Sequence, residues 1–261
     1  MEKVITEIDS GGIARVTLNN PSKHNAFDDQ IIAQLTDAFS AVAANSNVRV
    51  MVLASEGKSF SAGADLDWMK RMASYSYDEN LQDARALALM LQTLKTMPQP
   101  TIARIQGAVF GGAVGLVSCC DIAVAATVAT FSLSEVKIGL VPATVSPYVI
   151  DAIGARAARR YFMTAERFSA QTAKHIGLLS EVIGPENLDK QIGLLIDALL
   201  ANGPEAVIAS KQLVADINGQ AIGSDLIEHT CKIIAKIRVS EQGQEGLQAF
   251  LEKRKPHWLE D

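Results

Sequence analysis

Apolar and polar residues change period along this chain, and each change predicts an element. "KVITEI" and "IARVTLN" are short β-favouring runs around the turn cluster "DSGG", the pattern of a hairpin. "NPSKHNAF" predicts a loop. From Asp28 to about Asn45, the apolar residues Ile31, Ile32, Leu35, Ala38, Phe39 and Val42 recur at the spacing of one helix face. "VRVMVLAS" predicts a buried strand, and "EGKSFSAGAD" a loop leading into another helix. A longer helix is expected from about Asp78 to Thr96, stopped by Pro98. "PTIARIQG" predicts the next strand, residues 111–119 a short apolar helix, and "DIAVAAT" a further strand.

Strands thus recur with helices between them, although no sequence letters repeat. Parallel strands joined by helical crossovers are the natural assembly, so the expected class is α/β. Beyond about residue 185 strand signals stop. "NLDKQIGLLIDALLAN", "PEAVIASKQLVADI" and "SDLIEHTCKIIAKIRVSEQGQEGLQAFLEK" all read as helical. The expected division is a core over 1–185 and a helical region over 186–261. Those tail helices can hardly form a core alone, so they must pack on the rest or on another subunit.

Composition narrows the field. The 261 residues carry a net charge of -5 and are 48% apolar, which suits one large domain or a core with an appendage. Nucleic-acid binding is not expected, because phosphate contact needs clustered Lys and Arg. Arg156, Arg159 and Arg160 do cluster, but at helical spacing, which suits a solvated face or a subunit contact. Of Cys119, Cys120 and Cys231, the first two are adjacent in an apolar run and read as small buried hydrophobes, not a disulfide framework. "MEKVITEIDS" lacks the apolar core of a signal peptide, and the apolar runs break well before membrane-spanning length. A cytoplasmic protein without a membrane segment is the expectation.

Several chemistries find no support. There is no GxxxxGK[ST] loop, no GxGxxG after a strand and no GxSxG elbow. His24, His175, His229 and His257 form no metal-ligand pattern, so no metal is expected. Two glycine motifs remain. "FSAGADL" and "GAVFGGAVG" each follow a predicted strand and open a predicted helix. Each therefore places unpaired backbone N–H groups at a helix N-terminus, and Asp65 is suited to cap the first helix. If the motifs converge they make an oxyanion hole from backbone alone; taken singly, each is better explained by close packing, and it is the two together, in this order, that point to function. A third segment, "FSLSEVKIGLVP", holds Glu135 among apolar residues. Burial there would raise its pKa toward an acid/base range, whereas an alternating strand would leave it exposed.

"FSAGADLDWM", "IQGAVFGGAVGLVSCCDIAVA" and "FSLSEVKIGLVP", in this order, resemble the enoyl-CoA hydratase/isomerase, or crotonase, superfamily. "VTLNNPSKHNAF" and "FLEKRKPHW" extend the resemblance to essentially the whole chain. It implies a spiral of ββα units with a C-terminal helical region that assembles trimers, often paired as hexamers. It implies an acyl-CoA thioester substrate, with coenzyme A as part of the substrate and no separate cofactor. By position, the family's two peptide N–H donors to the thioester oxygen fall on Ala64 and Gly112. Of the family's two catalytic glutamates, the second matches Glu135, and the first falls at Gly115, which has no side chain. Lys23 and Ala26 match the loop beside the CoA phosphates and pantetheine. Ala62, Asp65 and Leu66 match the adenine pocket, and Phe250 and Lys253 match residues reaching CoA from the C-terminal helix, sometimes of a neighbouring subunit. The run from Leu133 to Phe168 resembles the bacterial methylglutaconyl-CoA hydratases of leucine breakdown and the γ-carboxygeranoyl-CoA hydratases. Hydration of a branched 2-enoyl-CoA is therefore expected first. A Δ3–Δ2 enoyl-CoA isomerase using Glu135 alone and a non-catalytic acyl-CoA binder are the alternatives. Trp68, Tyr75 and Tyr77 are candidates to line the acyl pocket.

Overall fold

The structure, a computed structural model, describes residues 2–259. The predicted hairpin forms from β1 (Val4–Ile8) and β2 (Ile13–Leu18), with Val4 opposite Leu18. Helix α1 (Asp29–Ala44) follows, and the Asp28 carboxylate caps it by accepting from the Ile31 N–H. The chain then repeats one unit: a long strand, a strand of three residues, and helix. The first unit is β3 (Val50–Ser55), β4 (Ser59–Ser61), α2 (Leu66–Met72) and α3 (Tyr77–Lys95). The second is β5 (Thr101–Ile105), β6 (Ala108–Phe110) and α4 (Gly112–Cys119). The third is β7 (Ile122–Ala126), β8 (Thr130–Ser132) and α5 (Ser146–Thr164). β9 (Phe168–Ser169), α6 (Ala170–His175) and β10 (Glu181–Ile183) complete the strands.

Within each unit the long strand joins a six-stranded sheet of order β1-β2-β3-β5-β7-β10, and the short one joins a four-stranded sheet of order β4-β6-β8-β9. Pairing between successive units is parallel in both sheets. This is the expected α/β spiral of ββα units. The short strands escape the hydrophobic pattern because three residues are too few to show a period. β4 accordingly lies inside the segment that reads as a loop.

Helices cover both faces of the long sheet, which explains its continuous apolar strands. One core packs Leu53 and Ile105 with Phe39 of α1, Leu91 and Leu94 of α3, and Val114 of α4. On the other face, Val50, Val52, Ile102 and Val124 meet Leu188, Ile192 and Ile196 of α7 (Leu188–Leu200). The first tail helix is thus part of the sheet's cover. The rest of the tail differs. α8 (Pro204–Ile217), α9 (Ser224–Val239) and α10 (Glu241–Glu252) bury only Ala249 fully. The third predicted tail helix breaks at Ser240, whose hydroxyl accepts from the Gly243 N–H and starts α10. Among the described residues no single helix is long and apolar enough to cross a membrane. Cys119 and Cys120 are buried as expected, and desolvation pushes the Cys120 thiol up to about 12.

Candidate active site

Parallel pairing of β4 with β6 sets the two glycine motifs side by side. Gly63 and Gly111 turn the chain there with φ of +89° and +54°, a region that L side chains avoid. A Cβ on Gly63 would lie 2.9 Å from the Phe110 carbonyl oxygen, and one on Gly111 would lie 3.9 Å from the Gly63 Cα. At Gly63, bare backbone is therefore what lets the motifs touch, and at Gly111 it is the left-handed φ that calls for glycine. Gly63→Ala is expected to destabilise the fold by about 1–3 kcal/mol through the forced φ, with the Phe110 contact adding to it. Urea unfolding measures this, and an unchanged midpoint would contradict the close approach.

Two peptide N–H groups emerge from this junction. Phe27 donates to the Gly63 carbonyl at 2.7 Å, and Asp65 donates to the Phe27 carbonyl at 2.7 Å. Ala64, bridged to Phe27 between them, turns its own N–H the other way. Gly112 is the first residue of α4, where an N–H has no intrahelical partner. Among the described residues neither N–H finds a protein acceptor. The Phe27 ring would pass 3.5 Å from a Cβ on Gly112 and so packs beneath that turn.

Glu135 opens a single tight turn of helix, Glu135–Ile138, closed by Gly139 at φ +77°. It does not lie on an alternating strand, since β8 ends at Ser132. Its Oε1 lies 3.3 Å from the Cβ position of Gly111, while its buried Oε2 has no hydrogen-bond partner. Burial pushes its pKa above the ordinary glutamate value, with its own backbone N–H opposing. A desolvated carboxylate thus faces the junction that carries two free N–H groups. This combination can take and return a proton beside a developing oxyanion.

The side of α4 at Gly115 is closed. A Cβ on Gly115 would fall 2.5 Å from Val145 Cγ1 and 3.4 Å from Leu91 Cδ2. Val145 ends the Glu135 loop and precedes α5, so its packing on Gly115 is invisible in the sequence.

The remaining candidates separate. Ala26 is buried, Ala62 is half-buried and donates to the His24 carbonyl, and Leu66 is exposed. Asp65 caps α2 by accepting from the Asp67 and Trp68 N–H groups and pairs with Lys23 at 2.8 Å. Burial pushes the Asp65 carboxyl up, but Lys23 and the two N–H groups together hold it below its usual range. Trp68 is buried with its indole donating to Asp83, whereas Tyr77 projects into solvent. Phe250 is 81% exposed and Lys253 closes α10, which packs on α9. Sequence reasoning misses Asn25. Fully buried in a left-handed conformation, it donates to the carbonyls of Glu56 and Ser59. Its place beside turn residues is the only signal.

Residues 9–261 match the family model described as enoyl-CoA hydratase/isomerase. The 2,3-dehydroadipyl-CoA hydratase of Escherichia coli is 30% identical over 92% of both chains. The crystal structure of an enoyl-CoA hydratase from Shewanella pealeana superposes with a TM-score of 0.95 at 44% identity, covering 98% of this chain and 96% of that one. Pseudomonas aeruginosa AtuE superposes with a TM-score of 0.93 at 31% identity, covering 98% of this chain and 99% of that one.

Proposed function

The chain belongs to the enoyl-CoA hydratase/isomerase family, and from that premise we propose that it adds water across the 2,3 double bond of a branched 2-enoyl-CoA with Glu135 as its single catalytic carboxylate. The observation that carries this reading is the partnerless, buried carboxylate of Glu135 beside the Gly63–Gly111 junction.

In the proposed reaction the thioester oxygen accepts from the Ala64 and Gly112 N–H groups. Glu135 takes a proton from water, and the hydroxide adds to Cβ. The double-bond electrons move onto the thioester oxygen as an enolate. The enolate then collapses, and Cα takes the proton held by Glu135, so one water is added and the carboxylate is restored. Charge on oxygen grows only as the reaction proceeds, so fixed donors favour the transition state over the ground state.

Lys23, Ala26, Ala62, Asp65 and Leu66 are proposed to receive the CoA moiety along the loop beside Ala64. Phe250 and Lys253 would reach it from a neighbouring subunit. Exposed Val239, Leu247, Phe250 and Leu251 on α9 and α10 support self-association, proposed as a trimer or a pair of trimers. The branched acyl group rests on the resemblance of the Leu133–Phe168 run.

An absorbance assay tests the reaction. A branched 2-enoyl-CoA should lose its enoyl thioester band. Gain of that band from a 3-enoyl-CoA, with no loss from any 2-enoyl-CoA, would favour isomerisation. The pH profile adds an independent expectation. Glu135 must start as the carboxylate, and burial raises its pKa, so kcat/KM should fall as pH drops through a value above the usual glutamate range of about 4.3. An acid limb at or below that range would contradict a desolvated base.

A further inference from the structure

Lys23 has a place in the machinery besides any contact with CoA phosphate. The loop 20–28 lies along residues 61–65 and is joined to them at successive points. Ala62 donates to the His24 carbonyl at 2.9 Å, Phe27 to the Gly63 carbonyl at 2.7 Å, and Asp65 to the Phe27 carbonyl at 2.7 Å. The Gly63 carbonyl and the Ala64 N–H belong to one planar peptide unit. Holding that carbonyl from the loop side therefore aims the N–H away from the loop, toward the Gly111 junction. The next peptide unit is held by the Asp65 N–H. The aim of the Ala64 N–H thus depends on how firmly loop 20–28 is held against Asp65.

The side chains complete that hold. Lys23 Nζ lies 2.8 Å from Asp65 Oδ2, and the other carboxylate oxygen accepts from the Asp67 and Trp68 N–H groups at 2.8 and 3.2 Å. The Asp65 side chain is only 8% exposed, against 50% for Lys23. Without Lys23 an almost buried carboxylate would lose its only salt-bridge partner among the described residues, and solvating it would pull the loop and the helix start apart. We infer that Lys23 is a positioning residue for the Ala64 N–H, acting through its ion pair with Asp65. The inference rests on the proposed role of that N–H as a donor to the thioester oxygen.

The test uses a 2-enoyl-CoA and the same acyl group on pantetheine, which lacks the nucleotide and its phosphates. Lys23→Met should lower kcat about tenfold on both thioesters, a partial effect below the roughly 10² expected of a 1 Å misplacement. Lys23→Arg should restore most of it. Asp65→Asn keeps a good helix cap while removing the Lys23–Asp65 pair, and leaves Lys23 only its contact with the exposed carboxylate of Asp67 at 3.1 Å. It should lower kcat by a similar factor, and the double variant should be no slower than either single one, because both remove the Lys23–Asp65 interaction and the exposed Lys23–Asp67 pair contributes little. If Lys23→Met raises only KM for the CoA thioester and leaves pantetheine turnover intact, with Asp65→Asn harmless, Lys23 is a phosphate contact alone and the positioning role is overturned. Wild-type protein that turns over neither thioester would overturn both this inference and the reading it rests on.

Discussion

Glu135→Gln is expected to lower hydration by about 10³-fold while leaving acyl-CoA affinity within a few-fold, since general acid–base groups contribute about 10²–10⁴. Glutamine keeps the shape of the side chain beside Gly111 but can neither take a proton from water nor return one to Cα. The proposed backbone donors at Ala64 and Gly112 stay in place, so binding should survive. Stability should move the other way. The folded-state pKa of Glu135 is raised, so between its unfolded and folded values the native state holds the extra proton. Stability contributed by this group therefore falls as pH rises through that window. At neutral pH the carboxylate is a burden on the fold, and the glutamine variant should melt at or above the wild-type temperature. Hydration within tenfold of wild type would remove Glu135 from the mechanism.

Gly115→Glu is expected to unfold or severely destabilise the protein rather than equip it with a second carboxylate. The new Cβ alone would stand 2.5 Å from Val145 Cγ1 and 2.9 Å from Val145 Cβ. Forcing extra atoms into such a core costs about 1–3 kcal/mol. The longer side chain, and any charge it buries without a partner, adds several kcal/mol. Together these approach the total stability of an ordinary domain, about 5–15 kcal/mol. Val145→Ala in the same chain removes the nearest methyl group and should recover part of the loss in a thermal melt. A Gly115→Glu protein with wild-type stability and faster hydration would show that the space at Gly115 is not closed.

Much of this site is legible in the sequence. The two glycine motifs, the Asp65 cap and the carboxylate at Glu135 all stand in short segments, because backbone donors and caps are local devices. The long strands and helices are equally plain, since each carries several turns or alternations of apolar residues. What escapes is tertiary. The short strands β4 and β6 set the two motifs in contact, yet three residues carry no period. Val145 fills the side of Gly115 from another segment, and no local pattern announces it. The ion pair between Lys23 and Asp65 joins two loops that sequence alone reads separately. Two features are within reach of local signals. Ser240 before Glu241 is an N-cap signal inside an apparently continuous helix. Gly139 marks the end of a tight turn at Glu135 rather than a strand.

If one carboxylate serves both proton steps, water and proton must reach the double bond from one side. Hydration of an (E)-2-enoyl-CoA bearing one hydrogen at Cα, run in deuterium oxide and read by NMR of the product, tests this directly. One deuterium is expected at Cα, on the same face as the new hydroxyl. Deuterium on the opposite face, or on both, would contradict it.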